Sequence, residues 1–210
     1  MHDMNTQTAN YGWTSQAPHS CNYLAPKVIA LLRGLAVERV LDLGCGNGSL
    51  CSDLQAGGWQ AVGVEPDEEG LVIARASHTS VRFHAFGVHS DPAELLAREA
   101  PFDAVVSTEV VEHLFTPGQL PAYAAAVLKP GGLLIISTPY HGYLKNLALS
   151  IFGKWDHHHT AMWDGGHIKF WSRATLTQLL EANGFVVIDF HGVGRLPWLW
   201  KSMVLIAQKN

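Results

Sequence analysis

The run Val40-Leu-Asp-Leu-Gly-Cys-Gly-Asn-Gly48 restricts this chain more than any other segment. A short apolar strand runs straight into three glycines at alternate positions, and then into a helix-forming stretch at 49–56. Glycine permits positive φ and removes the Cβ, so a ligand can lie against the backbone of such a turn. In an open α/β sheet that ligand sits at the carboxyl ends of the strands, near the point where strand order reverses. The structural alternative is a tight strand-to-helix turn with no ligand. Three alternating glycines directly after a buried strand argue against it.

The rest of the chain repeats the alternation of strand and helix. A helix over 26–35 precedes the first strand at 39–43, and Gly57-Gly58 stops the helix at 49–56. Strands follow at 60–64, 81–85, 102–107 and 133–137, separated by helices at 67–76, from Asp91-Pro92 onward, and at 121–128. Lys129-Pro-Gly-Gly132 halts the last of these helices. Such spacing predicts a mostly parallel sheet with helices on both faces, and continuous apolar strands fit burial from both sides. After a helix at 175–183 come two strand-like runs, 185–190 and 201–208, joined only by residues 192–200. That connection is too short for a helical crossover, so the last two strands must pair antiparallel.

At 210 residues the chain fits a single domain over 1–210, with residues 1–25 read as an N-terminal flap. Residues 139–172, rich in Trp, His and Gly, break the rhythm and are read as a lid insertion. A net charge of -4 leaves no basic excess to neutralise phosphates, so no nucleic-acid partner is expected. No segment reaches the roughly 18–20 apolar residues of a membrane span. Met1–Asn10 is polar and does not read as a signal peptide, and Cys21, Cys45 and Cys51 form no CxxC pair. A cytoplasmic protein is the expectation.

The ligand class follows from what the loop lacks. A phosphate loop needs GxxxxGK[ST], and no such lysine is present. The dinucleotide fingerprint needs a third glycine where Ser49 stands. The pattern Asp42-x-Gly44-x-Gly46-x-Gly48 suits an uncharged ribose beside an amino-acid tail, with Asp42 near the ammonium end. Some twenty residues on, Glu65 closes the second strand and can accept hydrogen bonds from both ribose hydroxyls. Pro66 would pack beside an adenine.

These residues, with Phe102-Asp-Ala-Val-Val-Ser107 and Leu128-Lys-Pro-Gly-Gly132, resemble in order and spacing the motifs of the class I S-adenosylmethionine (SAM)-dependent methyltransferases. The resemblance implies a Rossmann-like α/β fold whose seven-stranded sheet has the order 3-2-1-4-5-7-6, strand 7 antiparallel. It implies SAM as cofactor, held by Asp42, Gly44, Cys45, Gly46, Glu65, Pro66, Phe86, Thr108 and Glu109, with Tyr11 and Trp13 folding over it from the flap. One departure stands out: Phe86-Gly-Val-His-Ser90 offers no carboxylate where the family has an acid for the adenine amino group. Backbone groups near Phe86 would have to serve instead.

Glu109-Val-Val-Glu-His-Leu114 resembles the ubiquinone-biosynthesis O-methyltransferases and their small-molecule relatives. That resemblance implies Glu109, Glu112 and His113 as candidate Mg²⁺ ligands, with His113 alternatively a general base. The structural reading of the same residues is a helix-capping carboxylate and a histidine bonded to backbone. The insertion adds Tyr140, His141, the triplet His157–His159, Trp163 and His167, of which His141 and His167 are further candidate bases. Mixed aromatic and imidazole groups suit a lid over a planar or apolar small-molecule acceptor. The expected reaction is methylation of an aromatic or quinone-like hydroxyl. N-methylation, a nicotinamide-dependent reductase and a non-catalytic SAM-binding module are the alternatives; the missing third glycine and the absence of a Tyr-x-x-x-Lys pair after the fifth strand count against the reductase.

Overall fold

The computed structural model describes residues 11–159, 162–163 and 165–210. The first ten residues of the expected flap, and residues 160, 161 and 164 of the expected lid, lie outside the described residues. Strand side chains alternate between two faces, and here both faces are apolar. Leu41, Leu43, Val62, Val105 and Leu134 pack into one core layer, while Val40, Ala61, Ala104, Val106 and Ile135 pack into another. Each layer needs a cover of helices.

The strands are β1 (Arg39–Leu43), β2 (Gln60–Val64), β3 (Arg82–His84), β4 (Phe102–Thr108), β5 (Leu128–Pro139), β6 (Phe185–Val193) and β7 (Ser202–Lys209). They form one sheet in the order β3-β2-β1-β4-β5-β7-β6, as the resemblance implied. β1 to β5 run parallel, and β7 is antiparallel to both β5 and β6. Helices α1 (Cys21–Arg33), α2 (Ser49–Ala56) and α3 (Glu68–Ser77) cover one layer through Leu24, Val28, Leu54, Leu71 and Ala74. Helices α4 (Pro92–Leu96), α5 (Gln119–Val127) and α8 (Arg173–Glu181) cover the other through Leu95, Leu120, Tyr123, Leu176 and Leu180.

Three local readings differ from the sequence expectation. α1 starts at Cys21 rather than at residue 26, with Pro26 inside it. Burial of Leu24 and Ala25 against the sheet outweighs the hydrogen bond that proline cannot donate. β5 begins at Leu128, paired with Phe102, rather than at residue 133; a register shift that resumes at Ala104 and Leu133 makes the Lys-Pro-Gly-Gly run, which does follow the end of α5, a bulge in the strand. The insertion carries helices α6 (Tyr143–Ile151) and α7 (Trp155–His159). It rejoins the fold at Ser172, whose hydroxyl accepts from Thr175 N while Thr175 Oγ1 accepts from Ser172 N, a capping box that starts α8. Among the described residues no helix is long and apolar enough to cross a membrane.

Candidate active site

A cavity of about 530 Å³ opens at the carboxyl ends of β1, β2 and β4. Its floor is the glycine loop. Gly46 sits at φ +51°, and a Cβ there would clash with the Trp13 ring; at Gly44, φ +85°, it would clash with Val110. Only glycine allows both the left-handed backbone and this close approach.

Glu65, at the end of β2, holds the loop from one side. Its Oε2 accepts from Gly46 N at 2.8 Å and its Oε1 from Asp67 N at 2.9 Å. Burial raises its pKa, against the lowering effect of these two backbone donors. Asp42 lies at the bottom, 1% exposed, accepting from Cys51 Sγ on one oxygen. Its other oxygen, Oδ1, has no hydrogen-bond partner among the described residues. Burial pushes the Asp42 carboxyl up to about 7. An orphaned buried acceptor costs free energy, and an ammonium group or a water would satisfy it.

The flap is tied to this loop by a residue sequence reasoning missed. Asn47 Nδ2 donates to Thr14 O and Gln16 O, both at 2.8 Å, while its Oδ1 accepts from Ser49 N and Ser49 Oγ. The Trp13 indole is thereby laid across Gly46 and Gly70. An amide between two glycines, with no apolar contact to make, was the available signal. Cys21, Leu50, Asp67 and His89 also line the cavity without having been singled out.

The opposite wall follows β4. Glu109 takes a left-handed backbone, φ 56°, and both of its carboxylate oxygens are taken: Oε1 by Ser137 Oγ at 2.8 Å and Oε2 by Ser202 Oγ at 3.1 Å. Burial pushes its carboxyl up to about 7. A 3₁₀ turn, Val111–His113, then buries Glu112, whose Oε2 accepts from Thr138 Oγ1 at 2.9 Å and whose Oε1 is unpartnered among the described residues. Burial, and then Glu109, raise the Glu112 carboxyl well above the usual range.

His113 faces the cavity. Its Nδ1 lies 2.7 Å from the Gly165 carbonyl, and a carbonyl only accepts, so Nδ1 carries the proton and Nε2 the lone pair. Burial lowers the His113 pKa, against the raising effect of the Gly165 and Gly166 backbone acceptors. Tyr11, Trp163 and His167 surround it edge-on, with ring centroids 5.6, 5.8 and 5.0 Å away.

One ligand atom from each of Glu112, His113 and His167 falls within 4.8 Å of the others. The structure thus groups His167, not Glu109, with Glu112 and His113. Of the other sequence candidates, Tyr11, Trp13, Asp42, Gly44, Cys45, Glu65, Pro66, Thr108 and Glu109 line the cavity, and Gly46 lies under Trp13. Phe86 does not line it: the ring stacks on His84 and lies under the Arg98 guanidinium, and His89 takes its place on the wall. His141 does not line it either; it packs with His158, His159 and Phe170 within the insertion.

A seven-stranded sheet of this order, with an alternating glycine loop and an acid closing β2 around one cavity, defines the class I SAM-dependent methyltransferases. The chain belongs to the methyltransferase domain family, whose model matches residues 15–189. It is 35% identical over 170 residues to a ubiquinone biosynthesis O-methyltransferase of Bradyrhizobium diazoefficiens, covering 76% of this chain and 63% of that protein. A second such enzyme, from Bradyrhizobium sp. (strain ORS 278), is 35% identical over 182 residues, covering 82% and 66%. The chain therefore spans a little under two thirds of the length of these relatives.

Among solved structures, the magnesium protoporphyrin IX methyltransferase of Synechocystis PCC 6803 with bound SAH superposes with TM-score 0.65 at 20% identity, over 89% of this chain and 82% of that one. The 1,6-didemethyltoxoflavin-N1-methyltransferase of Burkholderia thailandensis superposes with TM-score 0.63 at 22% identity, over 89% and 77%. Both share the fold.

Proposed function

We propose that the protein transfers the methyl group of SAM to a hydroxyl oxygen of a small aromatic or quinone-like molecule, with His113 as general base. The single observation that carries this reading is the His113–Gly165 hydrogen bond on the cavity wall, which in the neutral ring puts the proton on Nδ1 and the lone pair on Nε2. SAM, when bound, supplies a methyl on a sulfonium centre. Asp42 Oδ1 is the buried acceptor for its ammonium end, and the free lone pairs of Glu65 accept from the ribose hydroxyls. Pro66 and His89 flank the adenine side, and Trp13 excludes water from above.

Tyr11, Trp163 and His167 give the acceptor a largely aromatic surround open to a flat ring. Displacement at the methyl carbon needs positioning first, and then removal of the hydroxyl proton by Nε2. The name shared by the Bradyrhizobium relatives, an O-methyltransferase of ubiquinone biosynthesis, supports oxygen as the accepting atom.

A second reading rests on the unpartnered Glu112 Oε1 beside two imidazoles. Glu112, His113 and His167 would hold a divalent ion, and two imidazoles with one carboxylate suit zinc-class metals better than Mg²⁺. Its chemistry there would be to lower the pKa of the acceptor hydroxyl. The two readings separate on one experiment: acceptors bearing phenolic or catecholic hydroxyls are screened by release of S-adenosylhomocysteine (SAH), with and without a chelator. Turnover that survives chelation and falls about 100-fold in His113→Ala supports the base. Turnover lost on chelation and restored by zinc supports the metal. SAH release from no hydroxyl acceptor, but from amines, overturns O-methylation.

A further inference from the structure

The loop joining β3 to α4 spends its backbone donors on itself. Phe86 N donates to the His84 carbonyl at 3.0 Å. Gly87 N donates to Ser90 Oγ at 3.0 Å, and Ser90 N donates back to the Gly87 carbonyl at 2.9 Å. These two bonds close a turn over residues 87–90. A Cβ at Gly87 would clash with the His89 imidazole and press on Pro66, so the bare glycine lets the ring lie beside the proline. Of residues 84–91, His89 alone lines the cavity.

The position of this ring fixes what it can touch. The cavity crosses the carboxyl ends of three neighbouring strands, with Asp42 on β1, Glu65 just past β2 and His89 beyond β3. With an ammonium group at Asp42 and a ribose at Glu65, the purine falls at His89. Asp67, also on this wall, is committed to the N-cap of α3, where it accepts from Gly70 N. The Phe86 ring is turned away.

His89 differs from His113 in its freedom. A carbonyl holds Nδ1 of His113, whereas among the described residues no hydrogen bond holds either ring nitrogen of His89. A neutral imidazole carries a proton on one nitrogen and a lone pair on the other, and a ring flip exchanges them. A carboxylate in the same place could only accept. Adenine presents a 6-amino donor beside the N1 acceptor; hypoxanthine presents a 6-oxo acceptor beside an N1–H donor. A group that only accepts rejects the 6-oxo base, because two acceptors would face each other. A freely turning imidazole suits both.

We propose that His89 reads the six-position edge of the purine, and that the protein takes the inosyl form of its cofactor nearly as well as the adenosyl form. The proposal rests on the reading of the cavity as a SAM site and is independent of the methyl acceptor.

Calorimetric titration of the full chain with SAH and with S-inosylhomocysteine, its 6-oxo analogue, tests it. The parent binds the two within about fivefold of each other. His89→Asp keeps SAH affinity within about threefold and weakens the inosyl analogue about 50-fold or more. His89→Gln, whose amide both donates and accepts, keeps the parental ratio. Near-UV circular dichroism checks that each variant is folded. A parent that binds the inosyl analogue about 50-fold or more below SAH overturns the proposal, as does a folded His89→Asp variant with an unchanged ratio. A parent that binds neither ligand overturns the SAM-site reading, and the proposal with it.

Discussion

The two walls of the cavity draw their contacts from different distances along the chain. On the cofactor wall, Gly46 N reaches a carboxylate 19 residues away, and Glu65 closes its second bond two residues on, at Asp67. On the acceptor wall, His113 is oriented by a carbonyl 52 residues away and Glu109 by a hydroxyl 93 residues away. The first wall is made of backbone amides held by one strand–loop–helix unit. The second is made of side chains that meet only when the lid and the terminal hairpin have docked on β4 and β5. Under the proposed function, such a site would keep its cofactor grip constant and leave acceptor choice to the insertion, where sequence can change without disturbing the sheet.

The sharpest way to break this contrast is a pair of substitutions, one on each wall. Glu65→Ala removes a charged acceptor from two backbone donors, and SAH affinity in calorimetry is expected to fall about 100-fold. His113→Ala is expected to leave SAH affinity within about twofold while turnover falls about 100-fold. Equal loss of SAH binding in both would mean that the walls are not separable.

Trp13→Ala tests whether the flap belongs to the cofactor wall. Because the indole covers Gly46 and is pinned through Asn47, SAH affinity is expected to weaken about tenfold, seen as faster release in stopped-flow. An unchanged release rate would detach the flap from the site. On the other wall, His167→Ala is expected to lower turnover about tenfold and His141→Ala to change it less than about twofold, since only His167 lines the cavity. The reverse order would move the reacting centre from this cavity to the His141 cluster of the insertion.

The smallest expected effect on activity lies farthest from the chemistry. Glu99 sits buried between β1 and β3, receiving Arg82 at 2.7 Å and Arg39 and His84 at 3.0 Å. Burial alone would raise its carboxyl, but hydrogen bonds from Arg82, His84 and Arg39 hold it at about 2. A carboxyl depressed on folding contributes stability that is fully present above its ordinary value of 4.5 and is lost as pH falls through about 2. Thermal unfolding followed by circular dichroism should therefore decline across that window, and Glu99→Gln should flatten the decline.

How much of this was legible beforehand divides along the same line. The glycine loop, Glu65 and the antiparallel hairpin could be read because each rests on local rules: positive φ at alternate glycines, an acid closing a strand, and a connection too short for a crossover. The start of α1 was misplaced because Pro26 is a local stop signal that Leu24 and Ala25 override by burial. α6 and α7 are absent from the sequence expectation, which takes residues 139–172 as one insertion on their Trp, His and Gly content; the five residues of α7 are too few to show a period. The partners of the Phe86 ring, His84 and Arg98, could not be read from the sequence, because they meet it only through the fold.

The sequence by itself determined the class of fold and the glycine loop under the cavity, because backbone conformation and nearby residues supply most of the contacts there; the Asn47 bonds to Thr14 and Gln16 are the exception. Only the tertiary structure decided which histidine faces the cavity, that Glu109 is tied to Ser137 and Ser202, and that His167 joins Glu112 and His113. Those outcomes depend on how side chains far apart in sequence share one buried volume, and no periodicity or spacing encodes that competition.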